Sequence, residues 1–172
     1  MATSPSATAP TDADHRAHLY EILDSAGTVV VITRAADGQL HPRPMAVVRV
    51  DEDGTTYFVT PRSSTKVAEL EADPRVDLVF QSRTRYASIS GRGRLVNDRA
   101  MIEALWTEGW RLWFPEGKQD PEITLLAVDP EHGEYWDQSG TRGLSFLLRA
   151  ARAYVTGTTV EPRPEDHGAT SM

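Results

Sequence analysis

The chain has 172 residues, of which 40% are hydrophobic, so one globular domain with a sizeable core is expected. Its formal net charge of −7 argues against nucleic acid or an anionic membrane as the main partner. The sequence contains no cysteine, which excludes disulfides, thiolate metal sites and cysteine nucleophiles. Apolar runs are too short to span a bilayer and residues 1–11 lack the hydrophobic segment of a secretory signal, so we expect a soluble cytoplasmic protein.

Apolar periodicity and turn signals predict many strands with a few short helices between them. The predicted strands cover 28–33, 40–50, 56–60, 76–81, 86–96, 123–128 and 134–137, and the predicted helices cover 14–25, 64–72, about 98–108 and 144–153. Residues 1–11 and 157–172 are predicted to be disordered tails around one domain of residues 12–156.

Roughly seven strands joined mostly by tight turns favour a mainly β fold, a closed or nearly closed antiparallel barrel with peripheral helices. A two-layer α+β sandwich is the alternative. Gly91 and Gly93 within a predicted strand favour the barrel, because glycines mark bends at barrel corners. They do not form a dinucleotide fingerprint, since the third glycine is missing and no helix follows.

The segment Arg62-Ser63-Ser64-Thr65-Lys66 lies where a predicted strand gives way to a predicted helix. A helix N-terminus presents free N–H groups and a positive dipole end, which a lysine in the first turn opposes. A bound anion explains the lysine, because N–H groups, hydroxyls and an ammonium would converge on a phosphate. The alternative is a solvated lysine beside an ordinary Ser/Thr cap.

Side-chain catalysis has little support in the sequence. A Ser-His-Asp site needs a histidine held in a rigid pocket, and no Gly-x-Ser-x-Gly elbow accompanies His41. Asp14, His15 and His18 could share a helix face around a metal, but a polar helix start is the favoured interpretation. We therefore assign no catalytic side chain and no metal ligand.

Six aromatic residues fall within residues 106–136, including Phe114. Trp106, Trp110 and Trp113 have helical spacing, and Tyr135 and Trp136 follow. Core or interface packing is the expected role for two of the three tryptophans, and the alternative is a planar ligand stacked on the rings. An aromatic platform plus a phosphate site suits flavin mononucleotide (FMN), which carries the redox chemistry itself.

An ordered set of motifs then resembles the FMN-binding split-barrel superfamily of pyridoxamine 5′-phosphate oxidase, specifically its general stress protein 26-like branch. The pieces are Pro42-Arg43-Pro44-Met45, Tyr57-Phe58-Val59-Thr60, Ser63-Ser64-Thr65-Lys66-Val67, Pro74-Arg75-Val76-Asp77-Leu78-Val79-Phe80, Ser88-Ile89-Ser90-Gly91, Leu95-Val96-Asn97-Asp98-Arg99, Trp113-Phe114-Pro115-Glu116-Gly117 with Asp120-Pro121, and Glu134-Tyr135-Trp136. The resemblance covers about residues 14–155 and implies a six-stranded antiparallel split barrel. It also implies a homodimer with one flavin at each end of the subunit interface.

The resemblance implies two groups of cofactor-binding residues. Arg43 and Lys66 would grip the phosphate, and Ser64 and Thr65 would donate hydrogen bonds to it. The residues expected around the ribityl chain and the ring are Pro44, Met45, Val59 and Thr60 through main-chain groups, Gln81 at the polar edge of the ring, and Trp113 and Trp136 from the partner subunit.

The implied function is that of an FMN-dependent oxidoreductase of the general stress type with a small-molecule redox substrate. A reductase that uses the deazaflavin F420, a flavin-binding stress protein without turnover, and a scaffold that has lost the cofactor are alternatives. Pyridoxamine phosphate oxidases end with an arginine-containing substrate motif, whereas this chain has Thr158-Thr159-Val160 and an acidic segment there. That departure removes the main ground for assigning a vitamin B6 substrate.

Overall fold

Eight strands and three helices make up the parts of the chain that the computed structural model describes, residues 10–139, Arg149, Arg152 and 167–172. The strands are β1 (Thr28–Arg34), β2 (Leu40–Ala46), β3 (Arg49–Val50), β4 (Thr56–Pro61), β5 (Arg75–Gln81), β6 (Arg85–Val96), β7 (Ile123–Asp137) and β8 (His167–Ser171). The helices are α1 (Asp12–Asp24), α2 (Thr65–Ala72) and α3 (Arg99–Leu105), followed by 3-10 helices at Glu108–Leu112 and Gly117–Gln119.

All strand pairs are antiparallel, and the sheet has the order β2-β1-β5-β6-β7-β4-β3. β7 is long enough to pair with two strands on one side, with β4 along 123–128 and with β8 along 132–136. The sheet curls so that β2 and β4 approach each other without pairing in the ladder. This seam between β2 and β4 splits the barrel, and the predicted mainly β split barrel is confirmed.

The strand count differs from the six expected. The strand predicted over 40–50 breaks after Ala46 into β2 and β3, and the two strands predicted over 123–128 and 134–137 are one strand, β7. Gly91 pairs with Pro130 and Ser90 with His132, so Glu131 is an extra residue that forms a β-bulge. The bulge lets the strand continue through Asp129 and Pro130, which lie between the two predicted strands.

The disordered tail predicted over 157–172 is wrong for its last residues. Residues His167–Ser171 form β8 on the free edge of β7, and Tyr20 Oη lies 3.3 Å from Met172 Sδ. Nothing in the alternation of this short polar segment indicates a strand, so its pairing depends on the edge offered by β7. The tail predicted over residues 1–11 lies mostly outside the described residues, and so does the helix predicted over 144–153, apart from Arg149 and Arg152.

Two apolar clusters hold the fold together. One fills the barrel beneath α1, where Leu19, Ile22 and Leu23 are fully buried. The other lies outside the barrel wall and includes Trp110 and Phe114. Because successive side chains on a strand face opposite sides, β4 contributes to both clusters. No helix in the described segments is long and apolar enough to cross a membrane.

Two of the three tryptophans, Trp106 and Trp110, pack in or against the second cluster. α3 ends at Leu105 rather than near 108, so the tryptophans do not share one helical face. Trp110 is buried and packs edge to face with Trp106 at 5.7 Å between ring centroids, which confirms the expected core role for two of the three. Trp113 is 64% exposed.

Candidate functional site

A cavity of about 340 Å³ lies in the seam between β2 and β4, a volume in the range of small-molecule sites. We call it the seam cavity. Its walls are the residues 43–46 of β2 and 59–61 of β4, with Lys66 from α2. Trp110, Trp113 and Phe114 add aromatic surface to it. Six of the residues expected at the cofactor line this one cavity: Arg43, Pro44, Met45, Val59, Thr60 and Lys66. Trp113 lines it as well, from the same chain rather than from the partner subunit as expected.

Lys66 lies in the first turn of α2 and is partly buried. Its Nζ donates a hydrogen bond of 2.9 Å to Thr60 Oγ1, and that hydroxyl lies 3.2 Å from Ser64 Oγ. Burial lowers the pKa of the Lys66 ammonium, the positive charge of Arg43 lowers it further, and Glu69 partly opposes both. The charged form of Lys66 is therefore destabilised in this position, and a bound anion would stabilise it.

Arg43 approaches from β2 and is held by a polar network behind the cavity wall. Its Nη2 donates to Glu69 Oε2 at 2.8 Å, and its Nη1 donates to Thr33 Oγ1 at 2.5 Å. Thr33 Oγ1 in turn donates to Glu69 Oε2 at 2.6 Å, and His41 Nδ1 lies 2.6 Å from Glu69 Oε1. An ionised carboxylate only accepts hydrogen bonds, so the imidazole donates to it.

Glu69 is ionised in this network although its side chain is only 7% exposed. Burial raises the pKa of the Glu69 carboxyl, but hydrogen bonds from Thr33, His41 and Arg43, together with the charge of Arg43, outweigh it and lower the pKa to about 2. The site therefore combines two cations with one fixed anion.

The remaining predicted residues lie at or away from the cavity. Ser64 precedes α2 beside Thr60, and Thr65 is the exposed first residue of the helix. Gln81 and Trp136 lie on the outer face of the sheet, where both pair in register with Tyr86 of β6. The structure does not bring these two into the seam cavity of their own chain, and Trp136 stacks on His167 instead, with ring centroids 4.8 Å apart.

Sequence reasoning missed Glu69, Thr33 and the packing of His41 against them. The only local signal was Glu69 itself, an acidic residue between the buried Val67 and Leu70 of a short helix. The two histidines of the metal alternative that was considered at the start of α1 have other partners, because His15 Nδ1 lies 2.8 Å from Tyr135 Oη and His18 Nε2 lies 2.8 Å from Asp137 Oδ2. Within the described segments no cluster of His, Asp and Glu could hold a metal ion.

The curled antiparallel sheet with a cavity in its seam is the architecture of the FMN-binding split barrels. A family model described as pyridoxamine 5′-phosphate oxidase like matches residues 14–161, and the chain belongs to that family.

Three known proteins illustrate the relationship. General stress protein 26 of Bacillus subtilis is 25% identical in an alignment of 126 residues that covers 69% of this chain and 85% of that protein. The structure of a general stress FMN/FAD binding protein from Xanthomonas citri is 32% identical, with a TM-score of 0.61 over 72% of this chain and 88% of the other. A structure described as a general stress protein 26 from Jannaschia sp. CCS1 has a TM-score of 0.72 at 24% identity, covering 93% and 99% of the two chains, and shares the fold.

Proposed function

We propose that this protein binds FMN in the seam cavity and acts as a flavin-dependent oxidoreductase of the general stress type. The observation that carries the proposal is the convergence of Arg43 and Lys66 on one cavity, with the lysine's pKa lowered partly by the arginine. Two cations close enough to repel each other match the dianionic phosphate of FMN. The relative from Xanthomonas citri, a general stress FMN/FAD binding protein, supports a flavin.

In this proposal each part of the cavity takes one part of the cofactor. Lys66 and Arg43 bind the phosphate, with the Ser64 and Thr65 hydroxyls and the first N–H groups of α2 as further donors. The main chain of 44–45 and 59–60 lines the ribityl chain and the ring. When bound, the flavin supplies hydride and electron transfer, so the protein's own groups have to bind, orient and shield it.

The proposal is tested by titrating purified cofactor-free protein with FMN, riboflavin and F420, followed by absorbance and flavin fluorescence. We expect FMN to bind and riboflavin to bind more weakly, because riboflavin lacks the phosphate. Reduction of the bound flavin by nicotinamide nucleotides then separates an oxidoreductase from a binding protein without turnover. Preference for F420 would support the deazaflavin alternative, and no binding of any of the three would support a scaffold without cofactor.

We further propose that the protein is a homodimer in the cytoplasm whose partner subunit covers the outer face of β5, β6 and β7. Val79, Tyr86 and Trp136 lie on this face and are 38–40% exposed, an apolar surface that association would bury. Gln81 lies on the same face in register with Tyr86. Gln81 and Trp136 were both expected near the flavin ring, yet they lie away from their own chain's cavity. A second copy on this face would explain their position.

Val79→Arg is expected to turn the dimer into a monomer, because it places an unpaired charge in the proposed interface. Size-exclusion chromatography with light scattering measures the mass. Gln39→Arg, which adds the same charge in the exposed turn between β1 and β2, is the matched control and should stay dimeric. A monomeric wild-type protein at micromolar concentration would contradict the proposal.

A further inference from the structure

Glu69 places a buried negative charge next to the proposed phosphate site, and the phosphate site alone does not explain it. A buried carboxylate repels an anion bound next to it, and yet Glu69 is ionised and hydrogen-bonded directly to Arg43. Its two oxygens accept from three side chains on two strands, Thr33 on β1 and His41 and Arg43 on β2, while Glu69 itself lies on α2. Such a network fixes the positions of its members more than it adds binding energy.

The network holds Arg43 and still leaves it able to bind a ligand. Nη1 donates to Thr33 Oγ1 at 2.5 Å and to His41 O at 3.5 Å, and Nη2 donates once, to Glu69 Oε2. A guanidinium has five N–H donors, so the Nε–H and one Nη2–H make no hydrogen bond to the described residues. These are the donors that a planar, two-point contact with a phosphate requires.

We propose that Glu69 is a positioning residue, which orients Arg43 so that its remaining donors face the seam cavity and thereby sets the preference for a phosphorylated flavin. The inference rests on the proposed function. Its physical basis is that an untethered arginine loses rotamer freedom when it binds, whereas Arg43 is already ordered. Direct hydrogen bonds from Arg43 and His41 compensate the carboxylate's charge locally, so the gain in orientation exceeds the repulsion of the phosphate.

The test is the ratio of the riboflavin Kd to the FMN Kd, which isolates the phosphate contact from folding and ring binding. Glu69→Ala is expected to lower this ratio about ten-fold. Glu69→Gln should keep it within about three-fold of wild type, because the amide oxygen still accepts from Arg43. Glu71→Ala is the matched control, since it removes the same charge from an exposed position on the same helix and should leave the ratio unchanged.

A double-mutant cycle tests whether Glu69 acts through Arg43. In an Arg43→Ala background, Glu69→Ala is expected to lower the ratio no further. An equal further loss would overturn the proposal, and so would a ratio that rises in Glu69→Ala, which is the result expected if the carboxylate only repels the phosphate. If Glu69→Ala does not fold, Thr33→Val removes another anchor of Arg43 without a change of charge and should lower the ratio. An unchanged ratio would overturn the proposal.

Failure of the proposed function gives a different result. In that case wild-type protein binds neither flavin and both proposals fall together. Failure of the inference alone leaves FMN bound by the wild type with a ratio that is insensitive to Glu69.

Discussion

Lys66→Ala is expected to weaken FMN binding by about 1.5–3 kcal/mol, the usual size of a charge-assisted hydrogen bond, and to leave riboflavin binding nearly unchanged. The reason is that Lys66 Nζ, which donates to Thr60 Oγ1 from the first turn of α2, carries a positive charge that would attract the dianionic phosphate of FMN, a group that riboflavin lacks. Isothermal titration calorimetry or quenching of flavin fluorescence with both ligands measures the difference.

Lys118→Ala provides the control, because Lys118 is the only other lysine of the chain, is exposed and is not among the residues that line the seam cavity. It removes the same charge and should change neither affinity by more than about two-fold. Equal weakening of FMN and riboflavin by Lys66→Ala would contradict the phosphate role and would instead place Lys66 beside the ring or the ribityl chain.

Gly91→Ala is expected to lower the free energy of unfolding by about 2–4 kcal/mol. A Cβ atom at Gly91 would lie 2.2 Å from the carbonyl oxygen of Asp129 and 3.1 Å from Cα of Pro130. Both atoms belong to the backbone of β7 beside the bulge at Glu131, so the clash cannot be relieved by a side-chain rotation. The two longest strands of the sheet must separate locally.

Chemical denaturation with urea measures this loss, and Gly27→Ala is the comparison. A methyl group at Gly27 would meet no atom within 4 Å apart from its chain neighbours, and Gly27 does not have a positive φ, so its substitution should be close to neutral. A wild-type unfolding midpoint for Gly91→Ala would mean that β6 and β7 are not packed as closely at the bulge as the structure has them.

Local signals predicted the elements near the cavity well. Strand alternation and helix caps placed β4 and α2 within a residue or two of their observed bounds, and the hydroxyl run ending in Lys66 falls at the start of α2 as expected. Arg43 was assigned by resemblance, because its approach to Lys66 depends on the curl of the sheet. No spacing rule connects two residues on elements that meet only in the folded barrel.

The errors in the predicted secondary structure come from contacts between segments that are distant in the sequence. Asp129-Pro130-Glu131 has turn composition, yet pairing with β6 extends the strand through it with one bulge. β8 is a strand because β7 offers it an edge, which its own residues do not indicate. Glu69 escaped notice since an eight-residue helix is too short for its sequence to show which polar residue faces inward.

The seam has a consequence for how such a protein can diversify. Both walls of the cavity and both of its cations lie within residues 43–66, one short, continuous stretch of chain. Its two walls are not hydrogen-bonded to each other, so side chains there can change while the ladder that runs from β2 through β7 to β4 stays intact. The Thr33, His41 and Glu69 side chains that hold Arg43 extend this stretch to residues 33–69. A segment exchange between two members of this family over residues 33–69 is expected to carry the phosphate preference with it.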